Sequence, residues 1–357
     1  MPFFGYMWTC ENKLWKMVVN VNIKETKEII EMAWDTKMPI MLWGSMGIGK
    51  TAAVRQFCEE KQIGFVDIRL SEFDEVDLRG IPTIDKETKT TVWYPPSFLP
   101  AAKDWKGIVF FDEITNARPS VQNVCLKIIQ EGKIGDWVKS PDTLFLAAGN
   151  RAEDKAHIFE MSAPLLNRFG HVTVECELKE WCKYAIQNDI DYRIISFLNF
   201  KPDKLHTFNA AKKTYAFATP RTYEYTSKAI KGNKDLAKIK AYSTTFLGEG
   251  VAIELSAFIK LFENFDVKEM LAHSKNCEIP TKVDEMWSLV GAVGNYVVNN
   301  KDKDKEALTG AFSLAQRFEP EYAILLLQIF TNSKMQSKTF DKNPEFLPLL
   351  KKYGKYI

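Results

Sequence analysis

The run Gly44-Ser45-Met46-Gly47-Ile48-Gly49-Lys50-Thr51 matches GxxxxGK[ST] in full, directly after an apolar run and directly before the amphipathic TAAVRQFCEEKQ. Glycines at these spacings let the backbone turn tightly, so that successive N–H groups and a helix N-terminus can converge on phosphate oxygens. Lys50 adds positive charge for the β- and γ-phosphates, and the Thr51 hydroxyl can ligate Mg²⁺. The expected anion is a nucleoside triphosphate. A glycine-rich turn that happens to contain Lys-Thr is the plain alternative, and the flanking strand and helix patterns argue against it.

About 60 residues further on, Gly107-Ile108-Val109-Phe110-Phe111 is an apolar run that ends in Asp112 and Glu113. Successive strand residues face opposite ways, so Asp112 is expected to reach the metal while Glu113 points to where an attacking water would sit. Apolar strands ending in acids are common, and it is the placement downstream of a phosphate loop that gives this pair weight. Hydrolysis, with Glu113 as catalytic base, is the expectation.

These residues need a scaffold. The runs at 39–43, 65–70, 108–111, 144–148 and 171–174 are short, rich in β-branched or aromatic residues and bounded by glycine or charge, which predicts five strands alternating with helices in a parallel sheet. Between the second and third lies SEFDEVDLRGIPTID followed by KETKTTVWYPPSFLP, where KETK between Thr- and Val-containing flanks predicts a β-hairpin and Pro95, Pro96 and Pro100 stop regular structure. From about residue 178 the pattern turns helical: ELKEWCKYAIQND, DYRIISFLNF, RTYEYTSKAIKG, AIELSAFIKLFENF, VDEMWSLVGAVGNYVVNN, KEALTGAFSLAQRF and PEYAILLLQIFTNS. The charged stretch at 301–306 reads as a solvated loop ahead of a helix.

With 357 residues, 46% hydrophobic and 26% charged, the chain is expected to fold as roughly two globular domains rather than as a disordered or fibrous chain. Lysine and arginine number 48 against 46 acids, a net +2, so any anion site must be local and nothing marks a dedicated nucleic-acid or membrane-surface binder. The six cysteines (Cys10, Cys58, Cys125, Cys176, Cys182, Cys277) contain no CxxC pair, and the four histidines show no metal-ligand spacing, which predicts neither a zinc site nor a disulfide framework. The N-terminal MPFFGYMWTCENKLWK does not read as a signal peptide, and no run of about 18 uncharged apolar residues occurs, so no membrane insertion and a reduced, cytoplasmic setting are expected.

GSMGIGKT, GIVFFDEI, LFLAAGN, APLLNRFGH and ATPRTYEYTSKAI stand in the order and spacing of AAA+ ATPases. Over roughly residues 20–235 the chain most closely resembles the MoxR-type branch of the helix-2-insert clade. LSEFDEVDLRGIP with WYPPSFLPAA, and DEITNARPSVQNVCLKIIQEGKIGDW, look like its insert and its strand-to-helix stretch. The resemblance implies an α/β P-loop NTPase core, a parallel sheet with helices on both faces, over 1–177 with an insert at about 71–100. It further implies an all-α lid over 178–235, followed by a helical C-terminal extension over 236–357. Those last 120 or so residues exceed a minimal lid, and read equally as a ring-stabilising extension or a partner-docking module.

By the same resemblance, Asn150 matches sensor 1, orienting water near the γ-phosphate; a Gly149-Asn150 turn is its structural alternative. Arg168 matches the arginine finger that reaches nucleotide in a neighbouring subunit, against a surface arginine paired with an acid of its own helix. Arg221, after Pro220 at a helix start, matches sensor 2. Arg79, Arg118 and Arg151 fall in matching segments, where lining a pore, touching a neighbour and ordinary ion pairing all stay open. Trp34 and Trp43 suit core packing better than adenine stacking. The resemblance also implies ATP rather than GTP, Mg²⁺, a homo-oligomer, commonly a hexameric ring, and a protein client or a von Willebrand factor A domain partner. The expected function is Mg-dependent ATP hydrolysis by a chaperone or remodelling motor. A nucleic-acid-dependent NTPase (DNA translocation or restriction-associated) and a nucleotide-gated assembly protein are the alternatives, while a small-molecule kinase fits the water-activating residues less well.

Overall fold

The computed structural model describes residues 19–151, 154, 158–211, 214–300, 304, 306–333, 340 and 343–356. Cys10 and His157, the N-terminal run read against a signal peptide and most of the charged stretch at 301–306 lie outside them. The chain forms two compact units, Met1–Glu175 and Cys176–Ile357.

The first unit runs β1 (Val19–Val21), α1 (Ile23–Thr36), β2 (Ile40–Trp43), α2 (Lys50–Lys61), β3 (Gly64–Arg69), α3 (Glu75–Arg79), β4 (Ile81–Asp85), β5 (Thr90–Tyr94), β6 (Gly107–Asp112), α4 (Pro119–Glu131), β7 (Lys133–Ile134), β8 (Trp137–Val138), β9 (Thr143–Gly149), α5 (Ala163–Leu166) and β10 (Gly170–Val174). Six strands make one sheet in the order β1-β10-β2-β9-β6-β3, and every pairing in it is parallel. The five strands expected from the apolar runs are all in it, with helices between them. The three-residue β1 is too short to carry a periodic signal, and it enters the sheet by pairing Val19–Val21 with Val172–Val174.

β6 and β9 are buried at every position, which is why they read as unbroken apolar runs. Met41, Val109, Phe111, Phe145 and Ala147 pack with Val121, Cys125 and Ile128 of α4. Two small hairpins stand apart from the sheet: β4 pairs antiparallel with β5 around the KETK loop as expected, and β7 with β8.

The second unit is helical: α6 (Leu178–Gln187), α7 (Tyr192–Phe200), α8 (Pro220–Ile230), α9 (Leu236–Leu247), α10 (Glu249–Leu261), α11 (Val267–Ala272), α12 (Val283–Asn300), α13 (Glu306–Ala315), α14 (Pro320–Asn332) and α15 (Phe346–Tyr353). One apolar cluster extends from Trp181 through Phe197, Tyr223, Leu255 and Val290 to Phe330 and Tyr353. Periodicity does not single out α9, α11 and α15: α9 interleaves lysines and threonines with its apolar residues, and the other two span only six and eight residues. Among the described residues no helix is long and apolar enough to cross a membrane.

Candidate functional site

The chain leaves β2 and passes to the far sheet edge at β3, then returns through β6 and β9 to flank β2. The carboxyl ends of β2, β9 and β6 therefore lie side by side, with Trp43 opposite Gly149 and Phe111 opposite Ala147. Open parallel sheets bind ligands at such a crevice beyond the strand ends. The phosphate loop, Asn150 and the Asp112-Glu113 pair all follow from these ends.

Gly44 follows β2 where a Cβ would sit 2.6 Å from Ile48 Cδ1 and 2.7 Å from the Val174 carbonyl oxygen, so the loop closes there only on glycine. Gly49, at φ +106°, precedes the first turn of α2 and offers no side-chain cap, and that turn holds no acid. Its N–H groups and helix dipole are thus left for an anion. Lys50, at the first helical position, donates from Nζ to the carbonyls of Gly44 (2.5 Å) and Ser45 (3.0 Å) and lies 3.4 Å from Asn150 Oδ1. Met46, Gly47 and Ile48 complete the loop, with Ile48 buried.

Thr51 Oγ1 donates to Asp112 Oδ2 at 2.7 Å, and Asp112 is only 9% exposed. Two hard oxygens this close fit adjacent ligand positions of Mg²⁺, whose octahedral bonds of about 2.0–2.1 Å set neighbouring oxygens about 2.9 Å apart. Thr51 and Asp112 therefore suit the metal. Among the described residues no cluster of three or more His, Cys, Asp or Glu could hold a metal without such help.

Glu113 departs from the geometry expected of it. β6 ends at Asp112, and Glu113 has φ +55°, so a left-handed turn rather than strand alternation sets its direction. Bulky residues hold this conformation only where their surroundings enforce it. Here its backbone N–H donates to Asp112 Oδ1 (2.8 Å), Ser71 Oγ donates to Glu113 Oε2 (2.5 Å), and Arg69 Nε lies 3.8 Å from Oε1. The Arg69 guanidinium is raised further above its ordinary range, first by its hydrogen bond to Glu72 and then by Glu113. Burial, and then the charge of Asp112, push the Asp67 carboxyl above its ordinary value. Neither Arg69 nor Ser71 is marked by spacing in the sequence. They reach Glu113 because β3 lies beside β6 with Arg69 opposite Asp112.

Asn150 follows β9, its N–H bonded to Thr115 Oγ1 at 3.1 Å. Arg168 lies just after α5, exposed and, among the described residues, without an ion pair or side-chain hydrogen bond, so pairing on its own helix does not hold it. His171 anchors that turn. Trp43 Nε1 can only donate, so His171 Nδ1 accepts (2.9 Å) and its protonated Nε2 donates to the Leu166 carbonyl (2.9 Å). Arg221 lies in the second unit, at the second position of α8 behind Pro220 and the Thr219 cap, exposed and without an ion pair among the described residues.

Arg118 pairs with Asp74 at 3.0 Å, both exposed, and Arg79 is exposed without an ion pair among the described residues. Arg151 pairs with the buried Asp154. Trp43 is buried against His171, and half-buried Trp34 lies beneath the Lys37 ammonium at 3.2 Å, so both indoles are engaged by packing. The five described cysteines are free thiols, and burial pushes Cys58, Cys176 and Cys182 up to about 12, leaving them inert near neutrality.

Residues 39–169 match the family model of the AAA domain, dynein-related subfamily. The mitochondrial disaggregases of Bos taurus and Homo sapiens are each 27% identical to this chain over 146 residues, or 35% of it. The match spans about a fifth of those relatives' length (20% and 19%). A RuvB variant of Thermotoga maritima (15% identical, TM-score 0.40) covers 77% of this chain and 83% of its own, and NtrX of Brucella abortus with ADP (15%, 0.39) covers 80% and 66%. Both overlays are too loose to bear on function. The parallel sheet, the phosphate loop at its carboxyl edge and the family match agree: residues 39–169 form an AAA domain.

Proposed function

We propose that this protein is a Mg-dependent ATPase of the MoxR-like kind, working as a homo-oligomer, as a hexameric ring by the resemblance, that remodels a protein client. The observation that carries the hydrolytic part is the 2.7 Å contact between Thr51 and Asp112, which joins the phosphate loop to the acidic strand end at one point. Mg²⁺ held by Thr51, Asp112 and the triphosphate would neutralise charge on the β- and γ-oxygens. The loop N–H groups from Gly44 to Thr51 and the Lys50 ammonium bind and orient the phosphates. Glu113 takes the proton of the attacking water, and Asn150 holds that water in line. Arg168 of a neighbouring copy offsets charge that develops on the transferred group, and Arg221 senses nucleotide state, both roles resting on the motif resemblance.

A protein client is favoured by the disaggregase relatives, whose name is that of a protein-remodelling activity, and by a net charge of only +2 that offers nucleic acid little general attraction. A von Willebrand factor A domain partner belongs to the same reading. Replacing Glu113→Gln tests the chemistry. The variant is expected to bind ATP as the parent does and to turn it over about 100-fold more slowly or less, as loss of a catalytic base predicts. Parent-like turnover in a steady-state phosphate-release assay would remove Glu113 from its role. Stimulation by DNA with a steep salt dependence would instead favour the nucleic-acid alternative.

A further inference from the structure

Asp154 is only 7% exposed and lies against the phosphate loop. Its Oδ1 accepts the Ser45 hydroxyl at 2.7 Å, and its Oδ2 accepts the Arg151 backbone N–H at 3.2 Å and faces Arg151 Nε at 3.6 Å. Arg151 Nη2 closes the ring by donating to Ser45 Oγ at 3.0 Å. The proton assignment is forced, because a guanidinium cannot accept: the single Ser45 proton goes to Asp154 and an Ser45 lone pair takes the Arg151 donor. The Ser45 side chain is thereby committed within the protein, leaving its backbone to face phosphate.

The ring joins two parts of the site. Ser45 is the second residue of the phosphate loop, and its carbonyl also accepts Lys50 Nζ. Arg151 directly follows Asn150, whose N–H is held from the other side by Thr115 and whose Oδ1 faces Lys50 Nζ. A buried carboxylate beside a polyanion site opposes the ligand's charge and costs desolvation. A turn needing only to be closed has no use for one. The cost makes sense where the acid fixes geometry that the chemistry needs.

We propose that Asp154, with Arg151, is a positioning residue: it latches the Asn150 turn to Ser45 and so sets the rate of ATP hydrolysis rather than nucleotide affinity, a role that rests on the ATPase reading above. The test uses the whole chain with Asp154→Asn, Ser45→Ala, Arg151→Gln and the Ser45→Ala/Asp154→Asn double variant. ATP turnover with Mg²⁺ and binding of fluorescent ATP and ADP analogues are measured on each. The expected result is a kcat lower by about 10- to 100-fold, as for a small misplacement of a catalytic group. KM and analogue affinities should stay within about threefold of the parent. The double variant should be no slower than its slower single parent, because both changes open one ring.

Parent-like kcat in Asp154→Asn, a loss confined to KM, or losses that multiply in the double variant would overturn the latch. Should Asp154→Asn fail to fold, Arg151→Gln, on a side chain 36% exposed, carries the same expectation. A parent chain that binds the analogues but never turns ATP over overturns the ATPase reading and the latch together, whereas failure of the latch alone requires an active parent.

Discussion

Glu113 is held by two neighbours that a working base must release. The Ser71 hydroxyl and the Arg69 guanidinium fix where this carboxylate points, and a base has to turn toward its water to act. Ser71→Ala should therefore raise basal ATP turnover by about two- to fivefold, with nucleotide affinity unchanged. A fall in kcat would mean that Ser71 positions Glu113 rather than restraining it. Asp67 yields a pH prediction. Its folded carboxyl lies above its ordinary value of 3.8, so its ionisation costs the fold nothing well below 3.8, increasingly more between that and the folded value, and the full amount above it. Asp67→Asn should raise the melting temperature at pH 7, by an amount that shrinks toward pH 4; a gain independent of pH would contradict this. At this scale the phosphate loop and the acid pair are legible in the sequence, because each is a local pattern. Ser71 and Arg69 are not, because the β3–β6 pairing brings them to Glu113 from about 40 residues away.

Packing between helices is decided by close approach, and the second unit shows it at Gly291. A Cβ there would sit 2.2 Å from Ser196 Oγ and 2.8 Å from Phe262 Cζ, so α12 meets α7 only because no side chain intervenes. Gly291→Ala should cost about 1–3 kcal/mol of stability through overpacking, read as a lower denaturant midpoint at unchanged slope. A variant as stable as the parent would show that α7 yields at no cost. The spacing of apolar residues in VDEMWSLVGAVGNYVVNN announces α12 as a helix, and it is silent on which glycine touches which neighbour. In the first unit, buried β6 and β9 announce themselves by unbroken apolar runs, whereas β1 becomes a strand only through its partner β10.

An exposed Arg168 without an ion pair among the described residues is a cation available to another copy of the chain. If it acts in trans, turnover per subunit should rise with protein concentration to a plateau. Arg168→Ala should lower that plateau about 1,000-fold, the scale on which arginine fingers act. Mixing Arg168→Ala with Glu113→Gln subunits should restore part of the activity, since each brings the part the other lacks. Absence of any recovery in an active, mixed assembly would place Arg168 outside the shared site.

Local chemistry was written in the chain itself: a phosphate loop, a threonine hydroxyl of the kind that suits a metal, a pair of acids at a strand end, and a switch from strand to helix patterning near residue 178. Such signals survive in one dimension because each needs only neighbours in sequence. Tertiary structure decided the strand order that sets β2 between β10 and β9, the left-handed turn that aims Glu113, and the ring of Ser45, Arg151 and Asp154. These depend on which segments pair across the sheet, and pairing is settled by burial of the whole apolar core, a property no single segment carries.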